Sequence, residues 1–107
     1  MPIIKANTSI VTQINVFTVP SPDQQQPLIE FLAEAARAAR EVPGWVSASL
    51  HRSLDGTRVV NYAQWDSAEA FAAMQANPEA QVHMRAAAEL AGGFDPHLYT
   101  VESVHVR

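Results

Sequence analysis

Apolar residues alternate with polar ones in some stretches of the chain and recur every three or four positions in others. Residues 10–19, IVTQINVFTV, are rich in β-branched side chains and predict a first strand. Ser21, Pro22 and Gln24 then have the spacing of an N-cap, a first-turn proline and a capping-box partner. Leu28, Leu32, Ala35, Ala39 and Val42 follow on one face of a helix. Pro43 disfavours helical backbone at Val42, and Gly44 permits a sharp exit. WVSASLHR, 45–52, predicts a second strand and 57–65 a third. The LDGT between them suits a hairpin, with Asp55-Gly56 as a two-residue type I′ turn. Asp66 and Glu69 repeat the capping-box spacing and predict a helix at about 67–76. Asn77-Pro78 starts another, running to about Leu90, which AGGFDP ends. HLYTVESVHV, 97–106, alternates as a fourth strand.

The order β-α-β-β-α-β is the ferredoxin-like α+β arrangement, an antiparallel four-stranded sheet, expected as one domain over residues 1–107. Its helices cover one sheet face only. Both faces of the first strand nevertheless carry bulk: Ile10, Ile14 and Val16 on one, Val11, Phe17 and Val19 on the other. A wet second face would be polar, so a homodimer covering that face is expected.

The hairpin register sorts the middle of the chain. A loop at Asp55-Gly56 sets Leu50 opposite Asn61, Ala48 opposite Ala63 and Val46 opposite Trp65, all on one face. Trp45, Ser47, Ser49 and His51 go to the other face, with Asp66, Gln64, Tyr62 and Val60. The first set is apolar and should meet the helices. Asn61 is its one polar member, and the small Ala48 and Ala63 leave a dent between larger neighbours. A flat ligand fits such a dent, with Trp65 as a wall and Asn61 as a hydrogen-bonding handle. An asparagine and a tryptophan also occur in ordinary cores. An unpaired buried amide costs about 1–3 kcal/mol, so Asn61 needs some partner either way. Asn15 of the first strand is a further candidate for the same pocket.

Composition narrows the classes. With 48% hydrophobic residues, disorder is excluded. The absence of cysteine removes disulfides, thiolate metal sites and a cysteine nucleophile. A net charge of −4 provides no basic footprint for nucleic acid. Nothing approaches the run of about 20 apolar residues that crosses a membrane. MPIIKANTSIV lacks the marks of a signal peptide, and a cytoplasmic location is expected. His97 and His105 lack the further ligands that a metal site needs.

The segment EVPGWVSASLHRSLDGTRVVNYAQWDSAEAF resembles the antibiotic biosynthesis monooxygenases, dimeric α+β barrel proteins. Within that family it is most similar to the anthrone monooxygenases of aromatic polyketide pathways such as that of actinorhodin. The likeness is good from Glu41 through Arg85 and elsewhere follows the order of elements. It implies an enzyme with no prosthetic group and no metal, using molecular oxygen to turn a polycyclic phenolic anthrone into a quinone. It places Asn61 toward a substrate or peroxide oxygen, Trp65 as pocket wall and Arg85 near the substrate. Two positions depart from the pattern. A tyrosine expected as proton-transfer group is Phe71, and a tryptophan near the end of the first helix is Ala38. With phenylalanine at 71, His83 is the candidate acid or base. Related barrels that degrade haem use an asparagine, a tryptophan and a histidine. Asn15 and His83 would match two of these, but that tryptophan belongs near Met74. A non-catalytic ligand-binding dimer is the third reading, and Phe71 is its best argument.

Overall fold

The computed structural model describes residues 2–107. The elements run β1 (Val11–Thr18), a 3₁₀ turn (Pro22–Gln24), α1 (Gln25–Ala39), β2 (Trp45–Arg52), β3 (Arg58–Trp65), α2 (Ala68–Gln75), α3 (Pro78–Leu90) and β4 (Gly93–Tyr99). The four strands form one antiparallel sheet in the order β2-β3-β1-β4. This is the ferredoxin-like topology.

Helix starts differ from the expected caps. Ser21 makes no side-chain cap; its carbonyl accepts from the Gln24 N–H, closing a 3₁₀ turn, and α1 begins at Gln25. α2 is capped by Ser67, whose hydroxyl accepts from the Ala70 N–H, so the Asp66 and Glu69 box does not form. α3 starts as its sequence implies, with the Asn77 side chain accepting from the Glu79 N–H at 2.8 Å and Pro78 in the first turn.

The β2–β3 hairpin closes later than a two-residue turn would. Ser53 N–H donates to the Arg58 carbonyl, and the loop is 54–57. A type I′ turn needs positive φ at both central residues. Here Gly56 has φ +81° and Asp55 is not in the left-handed region. Both loops share one centre, so the longer one leaves the pairing unchanged: Leu50 faces Asn61 and Ala48 faces Ala63. The register slips only between Trp45 and Ser47. Trp45, not Val46, therefore faces Trp65 on the helix side, and Val46 is exposed.

The fourth strand also moves. It covers Gly93–Tyr99 rather than 97–106, so AGGFDP is partly strand and residues 100–107 lie outside the sheet. Gly92 N–H bonds the Thr18 carbonyl, and pairing runs from Thr18–Gly93 to Thr12–Tyr99. Pro96 is tolerated because β4 is an edge strand, where one side of the backbone needs no partner.

Phe17, Val19, Leu28, Leu32, Val59 and Ala87 form the buried core between the sheet and helices α1 and α3. Gln25 ties the start of α1 to the hairpin, its amide donating to the carbonyls of Ser53 and Arg58 at 3.2 and 2.9 Å. Gly44 has φ +85°, and a Cβ there would overlap Ala70. The α1–β2 turn therefore requires glycine for both its conformation and its close approach to α2.

Candidate functional site

Pairing across β1 and β3 brings Gln13 opposite Ala63, Asn15 opposite Asn61 and Phe17 opposite Val59. Directly opposed residues share a sheet face. The helix-side face is therefore apolar around Phe17 and Val59 and becomes a cluster of amides two residues further along. Gln13 and Asn15 are buried at 5% and 0% exposure, and Asn61 is half-buried.

Trp65 is buried within this cluster. Its indole N–H donates to Oε1 of Gln13 at 3.2 Å. Phe71 of α2 meets it edge-to-face, ring centres 5.7 Å apart at 80°. Thus the position without a phenol serves as a packing contact for the tryptophan. Asn15 Nδ2 donates weakly to the Met84 sulfur of α3 at 3.9 Å. The carboxamide oxygens of Asn15 and Asn61 have no hydrogen-bond donor among the described residues. Each such oxygen costs about 1–3 kcal/mol while it stays unpaired.

Ala63 is buried and Ala48 and Leu50 are half-buried beside it. A shallow groove of about 360 Å³ opens along them between α1 and β2, with Trp45, Ala48 and Leu50 as its strand wall and Ala33 and Ala36 on the helix. Arg37 and Arg40 complete its lining, so of the expected dent it takes in Ala48 and Leu50 but not Asn61, Ala63 or Trp65. A separate cavity of about 290 Å³ lies on the opposite sheet face, beneath Pro2, Ile3 and Lys5.

The remaining candidates sit further out. His83 is exposed on α3, its ring 5.4 Å from that of Phe31. Arg85 is exposed on the same helix, with no side-chain hydrogen bond or ion pair among the described residues. His51 bonds Ser49 on the other sheet face, where Tyr62 also lies. Among the described residues, no three His, Asp or Glu side chains gather as metal ligands, and no helix is long and apolar enough to cross a membrane.

Gln13 and Met84 are the members of the cluster that the sequence does not single out. The signal for Gln13 is its spacing from Asn15, which puts two amides on one side of a strand. Met84 has no comparable signal.

The geometry can be set beside known proteins. The model of the family described as antibiotic biosynthesis monooxygenase matches residues 10–86. The tetracenomycin-F1 monooxygenase of Streptomyces glaucescens is 43% identical over 84 residues, which is 78% of this chain and 74% of that protein. The monooxygenase from the gene ActVA-Orf6 of Streptomyces coelicolor, solved in complex with nanaomycin D, superposes with a TM-score of 0.83. It is 32% identical, and the match covers 91% of each chain. SnoaB, a cofactor-independent oxygenase from Streptomyces nogalater, superposes with a TM-score of 0.76 at 28% identity, over 91% of this chain and 97% of its own.

Proposed function

The chain belongs to the antibiotic biosynthesis monooxygenase family, and from that premise we propose that it is a cofactor-independent monooxygenase that oxidises a polycyclic phenolic anthrone to a quinone. The observation that carries this reading is the helix-side cluster itself. It gathers the buried Trp65, bonded to Gln13, and Asn61 with its unpaired carboxamide oxygen on the sheet face that also carries Ala48 and Ala63. The named activities of the relatives, a tetracenomycin-F1 monooxygenase and a cofactor-independent oxygenase, support the same class.

The substrate supplies the electrons. Loss of a proton from the carbon between the rings leaves an enolate, which passes one electron to O₂. The two radicals combine to a peroxide, its O–O bond breaks, and the second C–H proton leaves with the departing oxygen as water. One oxygen atom enters the quinone and the other becomes water. The protein's part is to bind the ring system against Trp65 and to lower the cost of the anion. A single placed donor to an oxyanion is worth about 2.7–4 kcal/mol, and the Asn61 amide N–H is suited to that role. None of Gln13, Asn15, Asn61, Trp65 and Phe71 ionises near neutral pH, so the proton leaves to solvent.

The test is direct. Protein freed of metal and flavin is mixed with an anthrone in air-saturated buffer, and quinone absorbance and oxygen uptake are followed together. Acceleration over the spontaneous reaction, with one O₂ consumed per quinone, is expected. No acceleration across several anthrones would sink the proposal.

A further inference from the structure

The helix-side cluster is shut in this structure. Trp65 is 3% exposed, and Gln13 and Asn15 are buried beside it. The groove along Ala48 takes in neither Asn61 nor Trp65. A ring system therefore reaches the cluster only after some side chain withdraws. Trp65 is pinned by Gln13 at 3.2 Å and by the edge of Phe71, which is itself buried. Met84 of α3 is held less firmly. It is half-buried, and its one polar contact is the weak donation from Asn15 Nδ2 to its sulfur at 3.9 Å.

The sequence of α3 makes Met84 singular. Between Ala80 and Ala88 the covered positions are Ala80, Met84, Ala86, Ala87 and Ala88. Met84 is the one side chain among them that extends past its own Cβ. It reaches across to β1, as its contact with Asn15 shows. An unbranched thioether has three rotatable bonds and can swing aside without moving the helix backbone. Once it does, the space it leaves is bordered by alanines on α3 and by the sheet.

We propose that Met84 is the gate of the helix-side site and sets the width of the ring system that the site admits. This rests on the reading that an aromatic compound binds on that face. It adds a residue that selects substrates by size. A ligand's apparent affinity is reduced by the fraction of the protein that has the gate open. A wider ring needs the gate held further aside, so it is penalised more.

The experiment compares anthraquinone with tetracenequinone, its linear four-ring homologue, which adds width and no polar group. Affinities are measured by quenching of tryptophan fluorescence for the full chain and for Met84→Ala, with thermal melting of both proteins. Met84→Ala should bind the four-ring compound about tenfold tighter than the unmodified protein does, and the three-ring compound no more than about threefold tighter. Its melting temperature should fall by a few degrees. A merely structural role would weaken both affinities together and leave their ratio unchanged. If Met84→Ala is too unstable to titrate, Met84→Val should shift the ratio in the same direction. In protein labelled with methyl-¹³C methionine, the Met84 resonance, assigned by its absence in the variant, should move when anthraquinone binds. A ratio unchanged by the substitution overturns the proposal, as does a stationary Met84 resonance with the quinone bound. Each of these leaves the anthrone oxidation itself standing. Failure of both quinones to bind removes the proposal together with the aromatic site it rests on.

Discussion

Trp65 is held by an edge-on ring and by one hydrogen bond, and each contact comes from a different element. Gln13 is the less obvious of the two, and its oxygen is the indole's sole partner among the described residues. Replacing it by leucine leaves a buried N–H unpaired, at a cost of about 1–3 kcal/mol. Urea unfolding of Gln13→Leu should therefore give a lower midpoint with an unchanged slope, and an unchanged midpoint would contradict the bond's importance. His83 sits outside the cluster with an exposed ring. His83→Gln should alter anthrone turnover by less than about threefold, since a positioned base contributes about 10²–10⁴-fold. A loss of that larger size would make His83 the proton acceptor. The shared face of Asn61 and Trp65 was legible in the sequence because a hairpin fixes their phase. Gln13 was not, because Ile14 and Val16 are as apolar as Val11 and Phe17, and β1's own alternation does not say which side faces the helices.

The β2–β3 hairpin shows why a wrong turn type can leave a right register. Loops of two and four residues centred on Asp55-Gly56 pair the same residues, so face assignments from Leu50 to Ala63 survive. Only beyond the slip at Trp45 do they change. What the sequence lacks at β4 is any sign that GGFDP can be strand. Glycine and proline imply a loop, and only the edge position removes the objection. The hairpin loop also carries a carboxyl held below its ordinary range. The Asp55 carboxyl is lowered from 3.8 to about 2, first by the Thr57 hydroxyl, then by the Ser53 hydroxyl and the Thr57 N–H, with Arg58 adding a little. A depressed carboxylate contributes stability above its unfolded value and loses it as pH falls through the folded one. Stability should thus drop between about pH 4 and pH 2 partly through this residue. Asp55→Asn should flatten that part of the curve in acid unfolding followed by circular dichroism, and a curve of the same steepness would contradict the assignment.

At the scale of the whole molecule, one sheet face is covered by three helices and the other by little of the chain itself. Gln64 reaches the Ile3 carbonyl at 2.7 Å, so the N-terminal segment crosses one part of that second face. Ile14, Val16, Val60 and Tyr62 remain half-buried there, while Val104 and Val106 are exposed beyond the sheet. The expected homodimer is accordingly proposed to form through this face. Sedimentation velocity at micromolar concentration should give twice the chain's mass, and Val60→Lys should give a monomer that still folds. A monomer for the unmodified chain would contradict this. The same division of faces puts Asn61 on the helix side and its neighbour Tyr62 on the other, and the proposed chemistry goes with Asn61. The most direct measurement is therefore anthrone turnover by Asn61→Ala and Tyr62→Phe side by side. Asn61→Ala is predicted to lose about 10²–10³-fold and Tyr62→Phe no more than about twofold, as expected for a ring on the opposite face. Equal losses, or a larger loss at Tyr62, would place the reaction on the other face of the sheet.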